Sequence, residues 1–461
     1  MPLLLSPTSD REAEDNLGQP FAVPIHATTG RNLNAAVIAP VQPAIHSLKR
    51  LSQEQLIRQH VLLTFLDPLP QQCLLLQNLS TRQWRNLLRW LDYSGLALYF
   101  FDRIAELELG DLLPEPVFAR LQQNLIDNTK RTHSMIAESV AIQQKFQAAS
   151  LRYAALKGLS FWPNSVPKPE LRSQFDMDFL VAEKDIQAAR KALELEGYRL
   201  YATSGRSWEF KRNEFPGISR KQMYRDTGSW AVELHVESSE PSSSSQLERL
   251  EWLELGGFRM PVLSPIDLFL GQGVHAYKHI CSEFSRAAHL LEFRRHVLFH
   301  RDDSSFWDAL QSEARENPRS SLGLGVITLL ITQVMEEFAP ESLTSWTADR
   351  LPRSVQLWVE TYGHRAALGS FPGSKLYLLL QREIEVSGLP SKRSIRQSLI
   401  PSGLPPSVIR ASPNETLSTR LGRYRMQLSH IFGRLRFHWV EGARFLWESH
   451  RWRRQLNQVA K

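Results

Sequence analysis

The feature that most constrains this chain is a short apolar segment in which two aspartates alternate with hydrophobic residues. The segment reads Asp176-Met177-Asp178-Phe179-Leu180-Val181. Alternate side chains of an extended strand point to the same face, so Asp176 and Asp178 share one face and the hydrophobic side chains between and after them turn to the other. Adjacent carboxylates repel each other unless a cation neutralises them, and their hard oxygen atoms suit magnesium. The pattern predicts a Mg²⁺ site on a core strand; the alternative is a solvated strand edge.

A basic turn and an arginine lie before this segment. Lys157 and Gly158 follow Tyr153-Ala154-Ala155-Leu156, which is predicted to be the first core strand. Arg172 lies four residues before the first aspartate. Prolines at 163, 167 and 169 predict a rigid extended loop between the turn and the aspartates.

Four short motifs follow one another along the chain. They are Leu-Lys-Gly at 156–158, Arg172, Asp-x-Asp-x-Leu-Val at 176–181, and Glu-Leu-His at 233–235, which ends a strand predicted over 229–235. In this order they resemble the polymerase-beta-type nucleotidyltransferase superfamily, and most closely an uncharacterised bacterial nucleotidyltransferase family, over about residues 80 to 300. The resemblance implies an α+β fold, in which a nucleotidyltransferase-like mixed-sheet core is flanked by N-terminal and C-terminal helical regions.

The resemblance also implies a metal-dependent transferase with Mg²⁺ as its cofactor. Its catalytic and metal-binding residues are Asp176, Asp178 and Glu233. In two-metal phosphoryl chemistry one ion lowers the pKa of an attacking hydroxyl and the other neutralises the leaving pyrophosphate, so a third carboxylate is needed near the acceptor. Glu233, on the neighbouring strand, fits that need.

Further residues are implied to meet the two substrates. The nucleotide, an NTP such as ATP, is expected to contact Lys157, Gly158, Ser160 and Arg172. The acceptor is expected to contact His235, His275 and His279. The reaction implied is transfer of a nucleotidyl group from Mg-NTP to a hydroxyl of an unidentified small molecule, glycan or peptide.

Two departures from the superfamily pattern leave other functions open. The usual Gly-Ser pair is Gly158-Leu159 here, with Ser160 one place later, and the gap from Gly158 to Asp176 is longer than usual. These departures favour a catalytically inactive binding protein that keeps the fold and acts on membrane or nucleic acid, whereas the three carboxylates argue against it. A third interpretation is nucleotidylation of a protein or a tRNA, which the net charge of +7 fits.

The chain also contains histidines and cysteines that are candidate metal ligands. His275 and His279 share one face of a helix predicted to begin at Ser264-Pro265, and such a pair suits zinc. The His-Glu-x-x-His pattern is absent, so a structural or substrate-contacting role is the preferred interpretation. Cys73 and Cys281 lie far apart, so neither a disulfide framework nor a cysteine zinc site is expected.

Length and composition bound the organisation of the chain. With 461 residues and 42% hydrophobic content it can bury a sizeable core. No apolar run approaches the roughly 18 residues of a spanning helix, and the leucines at 3–5 are too few for a signal-peptide core, so a cytoplasmic protein is expected. The predicted units are a poorly ordered lead-in (1–45), an N-terminal helical region (46–150), the nucleotidyltransferase core (151–257), a C-terminal helical region (258–388), a linker (389–415) and a basic amphipathic helix (416–461).

The last of these units carries the net charge of the chain. Residues 416–461 hold ten Lys and Arg against two Asp and Glu, a balance of +8 in a chain of net charge +7. Apolar residues recur there at helical spacing, with Trp439, Trp447 and Trp452 among them. A basic amphipathic helix with tryptophans suits peripheral contact with anionic lipid, or nucleic-acid binding. The alternative is a helix that packs on the body and leaves a solvated basic face.

Overall fold

A computed structural model describes residues 51–212, 223–226, 228, 230–237, 245–386, 395–399 and 416–459. The predicted lead-in at 1–45 lies outside these residues, as does most of the predicted linker at 389–415.

The centre of the fold is a mixed β-sheet. Its strands are β1 (Tyr153–Leu156), β2 (Asp176–Val181), β3 (Arg199–Ser204), β4 (Ser207–Lys211), β5 (Ala231–Val236), β6 (Glu251–Leu255) and β7 (Phe258–Val262). Within the described residues, these seven strands follow the order β3-β4-β5-β2-β1-β7-β6. β2 runs antiparallel to β1 and parallel to β5, while β1 runs parallel to β7. The strand with the two aspartates therefore lies in the interior of the sheet.

Helices precede, interrupt and follow the sheet. The helices before it are α1 (Gln53–Leu63), α2 (Thr81–Ser94), α3 (Ala97–Glu106) and α4 (Glu115–Ala148), and α5 (Ile186–Leu195) connects β2 to β3. The helices after it are α6 (Pro265–Ile280), α7 (Ala287–Phe299), α8 (Ser304–Arg315), α9 (Pro318–Met335), α10 (Glu341–Thr344), α11 (Arg353–Ala367), α12 (Tyr377–Val386), α13 (Ile395–Leu399) and α14 (Leu417–Val459). The predicted start of α6 is confirmed, because Ser264 caps it by accepting a hydrogen bond from the backbone N–H of Asp267.

The two faces of the sheet differ as the alternation in β2 predicts. Met177, Phe179 and Val181 lie in a hydrophobic core with residues of α4 and α5. Within that core Phe146 of α4 meets the rings of Tyr153 and Phe179 edge to face, at centroid distances of 5.2 and 5.5 Å. The hydrophobic face is thus covered, and the face with the two aspartates is left for polar side chains.

The helices before and after the sheet form one body rather than two separate regions. Buried residues of α1, α2 and α3 share a single hydrophobic core with those of α6 to α9, α11 and α12. α4 belongs to both cores, since Val117 and Leu121 lie in the helical body while Met135, Ile142 and Phe146 lie against the sheet. A continuous helix therefore connects the helical body to the sheet.

The predicted fold class is confirmed: the protein is α+β, with a mixed-sheet core flanked by helices. The sheet extends past residue 257, where the core was predicted to end, because β7 pairs with β1. The proline-rich gap is not the extended loop that was expected, since it contains 3₁₀ turns at Gly158–Phe161 and Pro169–Leu171. Backbone hydrogen bonds from Ser160 N to Lys157 O and from Ser165 N to Phe161 O, both 2.9 Å, fold it back on itself.

The basic C-terminal segment is helical, as predicted, and α14 packs on the helical body. Phe437, Phe445 and Trp452 are buried, and the Trp452 indole N–H donates to Glu383 Oε1 of α12 at 2.9 Å. Across the described part of the chain, no helix combines the length and the apolar character that a membrane span needs.

Candidate active site

The register of the sheet brings the predicted carboxylates together. Asp178 of β2 lies beside Glu233 of β5, and Leu156 of β1 lies on the other side of Asp178. Because neighbouring residues in register point to the same face, Asp176, Asp178 and Glu233 all lie on the polar face of the sheet. Lys157, the first residue after β1, reaches the same place.

Asp178 is the centre of this polar group. Its Oδ1 lies 3.0 Å from Lys157 Nζ and 2.8 Å from His235 Nε2. The same His235 nitrogen lies 3.5 Å from Glu233 Oε2, and the Ser207 hydroxyl donates to Glu233 Oε1. Asp178, Glu233 and His235 have ligand atoms within 4.8 Å of one another. His235, which was predicted to contact the acceptor, bridges the two carboxylates.

Burial and neighbouring charges shift the pKa values of three of these groups. Burial, followed by repulsion from Asp178, raises the pKa of Asp176, and Lys157 offsets this only in part. The hydrogen bond with His235 is the largest influence that holds the pKa of Glu233 well below its usual value. Burial lowers the pKa of His235, but hydrogen bonds to Asp178 and Glu233 outweigh burial and raise it. The protein therefore compensates the charge of Asp176 incompletely, although solvent reaches that side chain.

The turn after β1 adopts a backbone conformation that few residues accept. Lys157 and Gly158 have φ values of 49° and 51°. A Cβ atom added to Gly158 would lie 2.3 Å from Gln174 Oε1, so any other residue requires the Gln174 side chain to move. A lysine at positive φ is strained, and such strain is maintained when surrounding contacts hold it. Here the Lys157 carbonyl accepts a hydrogen bond from the hydroxyl of Ser160, at 3.0 Å.

The same hydrogen bond fixes the position of the Ser160 side chain, which was predicted to bind nucleotide. The side chain is buried and bonded to the turn itself. In this conformation Ser160 stabilises the turn.

Arg172 is held by a buried network from the helical body. Its Nε donates to Glu292 Oε1 of α7 at 3.1 Å, and its Nη1 donates to Gln174 Oε1 at 2.8 Å. The Tyr99 hydroxyl of α3 donates to the same Glu292 oxygen at 2.9 Å. Arg131 of α4 donates to the backbone carbonyl of Gln174. The position of Arg172 is therefore set by residues far away in the sequence.

His275 and His279 lie side by side on α6, as their spacing predicts, and His289 of α7 joins them. The three pairs of ring centroids are 4.5 to 4.9 Å apart. Burial lowers the pKa of His275 to about 2 and that of His279 to about 4, and the positive charges of Lys157 and Arg172 contribute to both shifts. These histidines are thus near the basic residues predicted to bind nucleotide, and they are neutral.

Several residues of the site had no local sequence signal. Gln174 contacts Gly158 and Arg172 but belongs to no motif, and Tyr99 meets Arg172 through Glu292. A signal existed for Glu292, which follows His289 by three positions and therefore lies on the same face of α7. Pairing that face with Arg172 required the tertiary structure.

The donor set of the polar face fits the metal that the resemblance implies. Asp176, Asp178 and Glu233 offer carboxylate oxygens on one face, and oxygen is the ligand that Mg²⁺ prefers. The pKa of Asp176 is raised first by burial and then by repulsion from Asp178. A bound cation would relieve that repulsion.

Comparison with known families identifies the class of protein. A family model described as an uncharacterised nucleotidyltransferase matches residues 80–337, which is more than half of the chain. The chain belongs to this family. The match supports nucleotidyl transfer as the general activity, and it includes the turn at Lys157, all three carboxylates and the three histidines.

Comparisons with individual proteins give weaker evidence than the family model does. The crystal structure of an antigenic nucleotidyltransferase-like protein from Paracoccidioides brasiliensis aligns with 47% of this chain and 97% of its own, at 13% identity and a TM-score of 0.28. At that score the likeness carries no weight beside the family match. No curated protein matches the chain.

The first prediction concerns the turn. Gly158→Ala places a Cβ against Gln174 Oε1, and moving that atom weakens its hydrogen bond to Arg172. We expect the free energy of unfolding to fall by about 1 kcal/mol for the positive φ, and by about 1.5–3 kcal/mol more for the bond to a charged group. Denaturant unfolding monitored by circular dichroism measures the loss.

Gly205→Ala is the matched control. Gly205 also has a positive φ, 59°, but open space surrounds its Cβ position, so only the first loss applies. In a Gln174→Ala background, Gly158→Ala should cost no more than the control, because the obstructing atom is gone. Equal losses for the two glycine variants in the wild-type background would show that Gln174 does not constrain the turn.

Proposed function

We propose that this protein transfers a nucleotidyl group from Mg-NTP to a hydroxyl of a small-molecule, glycan or peptide acceptor. The observation that carries the proposal is the polar face of β2 and β5, which Asp176, Asp178 and Glu233 share and where Asp178 pairs with Lys157. Asp178 and Glu233 have oxygens within 4.8 Å of each other. In a member of a nucleotidyltransferase family, three carboxylates and a lysine on one face have the chemistry that the reaction needs.

Asp176, Asp178 and Glu233 would hold the magnesium. When bound there, the metal supplies charge neutralisation for the phosphates and a lower pKa for the acceptor hydroxyl. The lowered pKa of Glu233 makes it a weak base, because a general base works best with a pKa near the working pH. We therefore assign Glu233 to positioning charge near the acceptor rather than to removing its proton alone.

The basic residues would bind the triphosphate. Lys157 now pairs with Asp178, and its long, partly exposed side chain can turn to a phosphate oxygen when a cation occupies the carboxylates. Arg172 uses Nε and Nη1 for Glu292 and Gln174, which leaves its remaining N–H donors for phosphate. His235 would keep Asp178 and Glu233 oriented through its bridging contacts.

The first test asks whether Asp176 binds the metal–nucleotide complex. A ligand that binds only the native state, at about 100 times its Kd, stabilises a protein by about 2.7 kcal/mol. We expect one or more Mg-NTPs to raise the Tm of the wild type. Asp176→Asn should lose that rise while its Tm without ligand stays the same or increases, because the substitution removes repulsion from Asp178.

Asp308→Asn, an exposed change on α8, is the control and should keep the full shift. A full shift in Asp176→Asn as well would remove Asp176 from the metal site. Omitting Mg²⁺ should abolish the shift in the wild type.

The second test separates turnover from binding. Glu233→Gln should lower pyrophosphate release from labelled NTP by about 100-fold or more, with a much smaller change in nucleotide affinity, because charge placed near the acceptor acts mainly at the transition state. Glu209 is the control, since it lies beside Glu233 on β4 in register. Near-normal turnover in Glu233→Gln, with loss in Glu209→Gln, would reassign the third carboxylate.

A second function is suggested by the exposed face of α14. Apolar side chains recur there every three or four positions: Leu417, Leu421, Tyr424, Leu428, Phe432, Leu435 and Trp439. Trp439 is 82% exposed, although Phe437 and Phe445 nearby are buried against the body. Exposed arginines at 425 and 436 lie among them in a segment of charge +8. Arginines beside exposed leucines and tryptophans suit the surface of an anionic bilayer, and we propose that α14 docks there.

Substitutions on the exposed stripe test this proposal better than deletion, because the other side of α14 is packed. We expect the wild type to sediment with vesicles that contain phosphatidylserine, but not with pure phosphatidylcholine. Leu428→Ser with Trp439→Ser should abolish this binding, and salt should weaken it because charges are screened over about 10 Å at 0.1 M salt.

Leu195→Ser on α5, an exposed apolar residue outside α14, is the control and should bind like the wild type. Retardation of RNA or DNA without vesicle binding would show that the stripe and its arginines serve nucleic acid. Concentration-dependent dimers that the Ser variants abolish would show instead that the face joins two copies of this chain. Either result would overturn membrane docking.

A further inference from the structure

We propose that His275, His279 and His289 bind a transition-metal ion of the zinc class, at a site distinct from the carboxylate face. His275 and His279 lie one helical turn apart on α6, and α7 brings His289 against them. A ligand nitrogen from each of the three rings lies within 4.8 Å of the others. The inference does not depend on nucleotidyl transfer.

The spacing of the rings matches that of three imidazoles on one ion. Zinc–nitrogen bonds of about 2.0–2.1 Å in tetrahedral geometry place the ring centroids about 5 Å apart. The observed centroid distances are 4.6 Å for His275 and His279, 4.9 Å for His275 and His289, and 4.5 Å for His279 and His289. Small side-chain adjustments would therefore be enough for all three rings to coordinate one ion.

His289 supplies the independent observation that points to a ligand. Its side chain is 6% exposed, and its Nδ1 is shielded from solvent with no hydrogen-bond partner among the described residues. A buried polar atom without a partner is costly, so such atoms are normally satisfied by protein, water or an ion. His296 on the same helix also has a buried ring nitrogen without a partner, Nε2, but its Nδ1 bonds to Gln272 at 2.6 Å. It belongs to no group of three ligands in the described part of the chain, and this is what sets His289 apart.

The surroundings indicate what else would bind the ion. Three protein ligands leave one position of a tetrahedral zinc open, as in sites where the metal meets a substrate or water. The positive charge of Arg172 acts on all three histidines, that of Lys157 on His275 and His279, and that of Arg286 on His279 and His289. These charges disfavour a bare dication. An anionic fourth ligand, such as hydroxide or a phosphate oxygen, would offset them.

The experiment uses the full-length protein after removal of metals with a chelator. Titration with ZnCl₂ followed by calorimetry should show one high-affinity ion per chain. Co²⁺ in its place should give the visible absorption bands of a four-coordinate site, and inorganic phosphate should shift them. A large excess of Mg²⁺ should not compete, because Mg²⁺ prefers oxygen ligands.

Variants locate the site. His289→Gln and His275→Gln should each weaken zinc binding by at least tenfold and remove the Co²⁺ bands. His296→Gln, the matched control on α7, and Asp176→Asn in the carboxylate face should both retain them. Asp176→Asn distinguishes failure of this inference from failure of the proposed function, because it alters the carboxylate face and leaves the three histidines unchanged.

Three results would overturn the inference. They are absence of Co²⁺ bands in the wild type, wild-type zinc affinity in folded His289→Gln and His275→Gln, and loss of binding in His296→Gln alone. If His289→Gln does not fold, the test rests on His275→Gln, whose side chain is partly exposed, and on the wild-type Co²⁺ spectrum. Bands unchanged by saturating phosphate would exclude a phosphate oxygen as the fourth ligand.

Discussion

The buried ion pair between Arg172 and Glu292 is the contact on which the arrangement of the site depends. Arg172 precedes the carboxylate strand, and Glu292 lies on α7 of the helical body. Removing one partner of a buried pair leaves an uncompensated charge and costs about 3–5 kcal/mol, so the pair strongly fixes how the helical body meets the sheet. Because Tyr99 also bonds Glu292 and Gln174 also bonds Arg172, helices before and after the sheet are both tied to the turn at Gly158.

The two aspartates of β2 differ in the number of cationic side chains that contact them. Asp178 has two close cationic partners, Lys157 and His235, whereas the pKa of Asp176 is raised. Burial is the largest cause of that shift and repulsion from Asp178 the second, so the two adjacent aspartates have different electrostatic surroundings. The cation of the proposed function would relieve that repulsion.

Local pattern predicted the parts of the fold that local physics determines. The alternation of aspartates and apolar residues in β2 predicted which side chains share a face of the sheet. Gly197 ends the helix before β3, as predicted, in a left-handed conformation with φ 83°. The three carboxylates were predictable because motif and register agree. The contacts of Arg172 were not, since Glu292 is 120 residues away and nothing in periodicity pairs them. The prediction of an extended loop in the proline-rich gap was wrong, because backbone hydrogen bonds within the gap fold the chain back despite the prolines.

The long helix α4 limits how the helical body can move against the sheet. Its 34 residues span about 50 Å at 1.5 Å per residue, and its two halves are anchored in different hydrophobic cores. Hinge rotation of one domain against another takes place at a few loop or element-terminal residues that absorb the backbone change. Here the connection through α4 is a continuous helix with no such loop, so rotation of the helical body against the sheet would have to bend that helix.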